Sequence, residues 1–255
     1  MGDLRYCFEQ GYVLKTLSAL KAKDLAVVDT AGCESAVKAA VRRGVFVYGY
    51  LNAGALEDGR DYYSKFKSLR LAYYDGWPGE YWIDPTNASW QAHLISEAKK
   101  IKASGAIGLY LDNLDIYYMC SEGFEEENTH MFRKAPSVQA VYTALSNVVL
   151  KIHALGLIIM PNGGDTFVRK FVRAHPNVIK TVNQEGVLYQ DQRRQSSEDT
   201  KYYTEYLDWC RKKGLYIRGI EYPKTKAQAV YAKAYYTRHK WPGIYISWHK
   251  ELRGD

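Results

Sequence analysis

About eight times in 255 residues a short apolar run gives way to an amphipathic helical run, and this alternation limits the possible architecture more than any other feature. Arg5–Glu9, Leu25–Asp29, Val45–Leu51, Ala106–Leu111, Leu157–Met160, Ile179–Val182, Leu215–Ile220 and Ile244–Ser247 read as strands. Helical spacing covers Glu34–Arg43, Trp90–Ala103, Ser137–Leu155, Thr166–Ala174, Lys201–Lys213 and Lys226–His239. Gly44, Gly105, Gly156 and Gly214 fall where a left-handed cap ends a helix and starts the next strand. The expectation is an α/β fold: a (β/α)8 barrel in a single domain spanning residues 1–255. Two connections exceed a simple turn. Asn52–Pro85 holds a helix-like piece, Tyr62–Leu69, and Tyr117–Pro136 is Glu-rich and expected to be a flexible loop or short helix.

Composition removes several function classes. No GxGxxG or P-loop follows a strand, so nucleotide binding lacks its usual support. Net charge is +7, but the basic residues are spread over helices rather than gathered in a stripe, and no nucleic-acid partner is expected. Cys7, Cys33, Cys120 and Cys210 lie far apart with no CxxC pair, which predicts packed thiols rather than a zinc site or disulfide framework. The start, MGDLRYCF, lacks a leader pattern and no long uncharged apolar run follows, so no membrane span is expected.

In a barrel the loops after the strands form the active face, so chemistry is sought at strand ends. GAIGLYLDNLD, Gly105 to Asp115, runs an apolar strand with Ile107, Leu109 and Leu111 as its core straight into Asp112 and Asp115. The other strand ends offer Asp29, then Tyr50 with Asn52, then Asn162, Glu185 in TVNQEG, Glu221 in GIEYP, and Trp248 beside His249. YYDGWPGEYWID, Tyr73 to Asp84, adds Asp75 and Trp77 within one loop; the segment serves either as a carbohydrate platform or as a plug of the barrel mouth.

Carboxylates, amides and rings converging on one face suit a sugar: acids move protons, amides hold hydroxyls and rings stack on pyranose faces. Asp112 and Glu185, one strand apart, form the expected catalytic pair for glycosidic bond cleavage. Glu185 is read as nucleophile and Asp112 as acid/base, with the roles open to exchange. The plainer alternatives are that Asp115 caps a segment and Glu185 pairs with Arg218. Asp29, Tyr50, Asn52, Asp75, Trp77, Asp115, Asn162, Glu221 and Trp248 are the candidate substrate-binding residues. Of the six histidines only His249 is well placed for a metal, so neither metal nor cofactor is expected. Two other classes stay open: a non-catalytic carbohydrate-binding barrel and a metal-dependent barrel hydrolase.

VVD at Val27–Asp29, GYLNAG at Gly49–Gly54, WPGEYWID at Trp77–Asp84 and GLYLDNLD at Gly108–Asp115 together resemble the endo-α-1,4-polygalactosaminidase family, glycoside hydrolase family 114. The resemblance runs in the same order over most of the chain. It implies a (β/α)8 barrel that hydrolyses α-1,4-linked galactosamine or N-acetylgalactosamine polysaccharide, with a catalytic aspartate after the fourth strand and a glutamate after the sixth. These fall on Asp112 and Glu185. It further implies action on a polysaccharide at the cell surface or outside the cell; with no leader in this chain, a cytoplasmic site is the other expectation, and a monomer is expected.

Overall fold

The computed structural model describes residues 2–254, so Met1 and Asp255 of the expected domain lie outside it. Strands β1 (Leu4–Cys7), β2 (Leu25–Val28), β3 (Phe46–Asn52), β4 (Gly108–Asp112) and β5 (Ile158–Pro161) pair in that order as one parallel sheet. Strands β6 (Thr181–Glu185), β7 (Tyr216–Glu221) and β8 (Gly243–Ile246) form a second. Parallel bridges Ile159–Ile179 and Asn162–Asn183 join β5 to β6. At the opposite seam the Tyr6 and Tyr245 rings meet at 5.3 Å, and the Phe8 N–H donates to the Leu252 carbonyl at 2.9 Å. Side chains and the segment after β8 therefore complete the expected (β/α)8 barrel there, in place of a ladder.

Between the strands run α1 (Gln10–Ala19), α2 (Glu34–Arg42), α3 (Ala88–Ala103), α4 (Val138–Ala154), α5 (Asp165–Ala174), α6 (Ser197–Lys212) and α7 (Lys226–His239). Among the described residues no helix follows β8. Most starts are capped from the sequence: Asn87 Oδ1 accepts from the Ser89 and Trp90 N–H groups, Ser137 and Ser196 do the same for α4 and α6, and Thr225 with Gln228 forms a capping box. The first helix, α1, escapes the sequence pattern because its N-cap, Glu9, makes no side-chain cap bond and Gly11 sits in its first turn. Gly105 and Gly156, which feed β4 and β5, adopt φ of +92° and +81°.

Two apolar layers divide the strands by parity. Val28, Val47, Leu109, Leu111, Ile159, Val182 and Ile217 face outward into the helices, against residues such as Leu94, Ile101, Val149, Phe171 and Leu207. The inward set is Tyr6, Leu25, Val27, Tyr48, Tyr110, Met160, Ile220, Tyr222 and Tyr245, with Phe8, Tyr50 and Ile107 packed against it. Ile107 thus faces away from Leu109 and Leu111. Branched aliphatics usually fill such interiors; here tyrosines dominate. Gly108 makes space for one of them, since a Cβ there would stand 2.5 Å from Tyr48 Cε1.

Both long connections are more ordered than expected. Beyond the Tyr63–Phe66 turn, the first contains a three-stranded antiparallel sheet, Ala55–Glu57, Glu80–Ile83 and Arg70–Tyr73, in which Glu57 lies directly opposite Glu80. The second is a run of helical turns over residues 116–126, pinned by buried Cys120 and Phe124. All four cysteines are buried and none forms a disulfide.

A Cβ at Gly219 would lie 2.0 Å from Tyr236 Oη, a hydroxyl that donates to buried Glu221 at 3.0 Å. Gly219→Ala is therefore expected to lower stability by about 2 kcal/mol, read as a lower urea midpoint at unchanged slope; an unchanged midpoint would refute this packing argument.

Candidate active site

The C-terminal ends of β1 to β7 open into a cleft of two lobes that share Phe8, Tyr50, Glu57 and Arg60. One lobe, of about 480 Å³, holds Asp112, Asp115, Asn162, Glu185, Tyr74, Trp77, Glu80 and Tyr222. The other, of about 650 Å³, holds Asp29, Asn52, Tyr62 and Glu97.

At its centre a single amide joins the two carboxylates that sequence reasoning paired. Asn162 Nδ2 donates to Asp112 Oδ1 at 3.0 Å and to Glu185 Oε1 at 2.8 Å. Asp112 Oδ1 also accepts the Asn113 N–H, and Tyr50 Oη stands 3.2 Å from Asp112 Oδ2. Glu185 accepts from Tyr110 Oη at 3.0 Å and from the Tyr222 hydroxyl. Its neighbours are neutral donors; Arg218 instead lies over the Tyr216 ring at 4.8 Å. Fully buried Asn183 supports the cluster, donating to Asn162 Oδ1 at 2.8 Å and accepting from Tyr6 Oη at 2.8 Å.

The remaining acids are held in different ways. Asp115 lines the cleft and accepts the Gly164 N–H at 3.0 Å, tying the β4 loop to the start of α5. Asn52 is buried, accepting from the Ala55 N–H and Asn113 Nδ2 and donating to Glu57 Oε1 at 3.1 Å. Arg60 bridges Asp29, at 2.6 Å, and Glu57. Trp77 is exposed at the rim, with Lys250 Nζ 4.8 Å above its ring.

Three expected substrate-binding residues are not brought to the cleft. Glu221 is fully buried, and its carboxylate accepts the Leu188 and Tyr189 N–H groups at 3.1 and 2.8 Å, anchoring the loop after β6. Its position after an apolar strand suggested substrate binding, but the backbone it holds was invisible in sequence. Asp75 is exposed and lies outside both lobes. Trp248 lines a different cavity, beside Arg5 and Arg218 at the β8–β1 seam, and His249 another beside Arg5 and Tyr12. Among the described residues no three His, Cys, Asp or Glu side chains are grouped to hold a metal ion.

Sequence reasoning missed Glu57, Arg60, Tyr74, Tyr203 and Tyr222 at the cleft, and buried Tyr110 beneath it. Tyr203, on α6, lines the lobe containing Asp112. The available signal for Tyr110 was parity: in β4 it shares a face with Asp112. Burial dominates the electrostatics of the site. It pushes the Asp112 carboxyl up to about 7, aided by nearby Glu185 and opposed by the Asn162 hydrogen bond. It pushes Asp115 to about 6 against the Gly164 N–H, and Glu80 to about 8 with help from Glu57 and Asp112. Glu221 rises to about 7 despite its backbone donors.

Residues 9–251 match the profile of glycoside-hydrolase family GH114. Among solved structures, the glycoside hydrolase domain of PelA from Pseudomonas aeruginosa superposes with a TM-score of 0.75 at 19% identity, covering 97% of this chain and 95% of that one. Aspergillus fumigatus Ega3, solved in complex with galactosamine, gives 0.73 at 16% identity, covering 98% and 92%. At these identities both show the shared fold. An uncharacterized protein of Thermotoga maritima is 24% identical over 219 residues, 78% of this chain; the match spans 64% of that relative's length. No described helix is long and apolar enough to cross a membrane.

Asp112, Asp115, Glu80 and Glu221 all bind protons more tightly folded than unfolded, so between about pH 4 and pH 8 the native state holds the extra protons and stability falls as pH rises. Thermal midpoints are expected to be higher at pH 5.5 than at pH 8.5, with a shallower fall in Glu80→Gln. A midpoint that rises over this window would contradict the assignment.

Proposed function

The chain belongs to glycoside-hydrolase family GH114, and from that premise we propose that it is an endo-acting glycoside hydrolase that cleaves α-1,4-linked galactosamine or N-acetylgalactosamine polysaccharide with the Asp112–Glu185 pair. The Asn162 bridge is the observation that carries this reading. Legs of 3.0 and 2.8 Å keep Asp112 Oδ1 and Glu185 Oε1 within about 6 Å of each other, which accommodates the roughly 5–5.5 Å carboxyl separation of a retaining pair. The spacing favours the retaining route. Asp112, pushed to about 7, keeps a proton near neutrality and gives it to the glycosidic oxygen as that bond breaks. Glu185, held by three neutral donors, attacks the anomeric carbon to form a glycosyl ester. Asp112, now the carboxylate, takes a proton from the water that displaces the ester and is restored.

The lining of the cleft supports a cationic sugar. Although the chain carries +7 overall, its lobes present Glu9, Asp29, Glu34, Glu57, Asp61, Glu97, Asp115 and Glu251 besides the pair, against Arg60, Lys100 and Lys250. Such a field attracts protonated amino groups locally while a Debye length of ~8 Å screens the basic helices outside. The second lobe continues the cleft past the pair through Arg60 and Asp29, giving space for an internal segment of a chain rather than a terminal sugar alone.

Mass spectrometry of galactosamine and N-acetylgalactosamine polymers incubated with the parent protein is expected to yield oligosaccharides. Asp112→Asn and Glu185→Gln are each expected to slow release roughly a thousandfold or more. Binding of glycan without cleavage by the parent would establish a carbohydrate-binding barrel instead. With azide and an activated aryl glycoside, Glu185→Ala is expected to form a glycosyl azide of inverted configuration and Asp112→Ala one of retained configuration; the opposite pattern exchanges the two roles.

A further inference from the structure

Tyr50, at the end of β3, stands between two carboxyl groups with one hydrogen to give. Its Oη lies 3.1 Å from Glu57 Oε1 and 3.2 Å from Asp112 Oδ2. A phenol has a single O–H, so it serves one of these acceptors at a time. With both carboxyls ionised, one oxygen would face the phenol's lone pairs at hydrogen-bond distance with no proton between them. The other contacts decide where the second proton goes. Glu57 is ion-paired with Arg60 through Oε2 and accepts Asn52 Nδ2 on Oε1, so a cation and an amide already hold it as an acceptor. Asp112 Oδ1 is occupied by the Asn113 N–H and Asn162 Nδ2, which leaves Oδ2 as its free oxygen.

We infer that Tyr50 is the positioning residue of the acid: in the resting site the Asp112 carboxyl donates from Oδ2 to Tyr50 Oη while the phenol donates to Glu57, and after proton delivery the phenol hydrogen turns from Glu57 to Asp112. The inference rests on the reading of Asp112 as the acid. The proton that leaves is Asp112's own; Tyr50 keeps its hydrogen throughout and only rotates it about the C–O bond. Glu57 loses one of three donors but retains Arg60 and Asn52, and no heavy atom has to move. When Asp112 later takes a proton from the attacking water, the phenol turns back. The charged and titratable groups facing the phenol are Asp112, Glu57, Glu80 and Arg60, and those facing Asp112 include Glu185 and Asp115. Phe8 packs on the Tyr50 ring at 4.8 Å and Tyr110 at 6.3 Å, so the ring is held while the hydroxyl hydrogen is free to turn.

Tyr50→Phe keeps the ring and its packing and removes only the switch. On the unactivated polysaccharide, whose departing alkoxide needs the proton, kcat is expected to fall about ten- to a hundredfold, the loss of one hydrogen bond to a charged group. On an aryl glycoside with a dinitrophenolate leaving group, which needs no acid, the fall should stay within about threefold. Independently of turnover, the Asp112 carboxyl followed by ¹³C NMR in the free protein should titrate higher in the variant by about half a unit or more, because the phenol's bond to the ionised form is the stronger of the two it makes. Equal losses on both substrates, or an unmoved Asp112 titration, would overturn the inference. Failure of the hydrolase reading itself would look different: the parent would cleave neither substrate while the Asp112 titration still shifted in the variant.

Discussion

A barrel interior filled with tyrosines carries hydroxyls into a space without bulk water, and each buried hydroxyl needs a partner. Here the partners form one connected network. Tyr6 donates to Asn183, Asn183 to Tyr110 and Asn162, Tyr110 and Tyr222 to Glu185, and Asn162 to both carboxylates. An aliphatic interior would pack as well but would leave Asp112 and Glu185 with nothing beneath them. The polar filling sets the rotamers of these two carboxyl groups from below, so that their geometry is a consequence of the core and not of mobile loops.

Burial likewise explains why several acids in and beneath the cleft hold protons at unusual pH. Desolvation is the leading cause for Asp112, Asp115, Glu80 and Glu221 alike, and neighbouring negative charge adds to it for Asp112 and Glu80. Stability favoured by acid and a site that keeps its proton at neutrality are two expressions of one arrangement. The opposition of Glu57 and Glu80 across an antiparallel pair would disfavour that pairing if both were charged; Arg60 beside one and the raised carboxyl of the other relieve it. Glu221 shows that a buried acid can serve structure, since its carboxylate replaces a missing backbone partner for Leu188 and Tyr189 and thereby holds the loop bearing Gln190 at the edge of the cleft.

The architecture was legible because it rests on local rules: strand and helix periods, glycines at helix ends and acids at strand ends each act within a few residues. The central pair was legible for the same reason, Asp112 and Glu185 both closing apolar strands. What stayed hidden depends on pairing across the chain. Glu57 sits in an inserted antiparallel sheet, and Arg60 in the turn that follows its first strand, which the loop composition of residues 52–85 did not announce. Trp248 and Glu221 occupy strand ends as expected, yet one turns toward the β8–β1 seam and the other is consumed by backbone donors from the β6 loop. A strand end places the Cα near the cleft; hydrogen-bond demand from neighbouring segments decides whether the side chain reaches it.

That distinction bears on how the site divides its work. Residues on the barrel strands, Tyr110, Asp112, Asn162, Asn183 and Glu185, form a set whose spacing follows from strand register, for example Leu111 opposite Pro161 and Ile220 opposite Glu185. Glu57 and Arg60, carried by the insertion, reach Asp112 through Tyr50, and through Asn52 by way of Asn113. A change in the inserted sheet can therefore retune the protonation of Asp112 while leaving the spacing of the pair untouched. In the proposed mechanism bond cleavage depends on the spacing and its pH range on the protonation, so the two properties reside in separable parts of the same cleft.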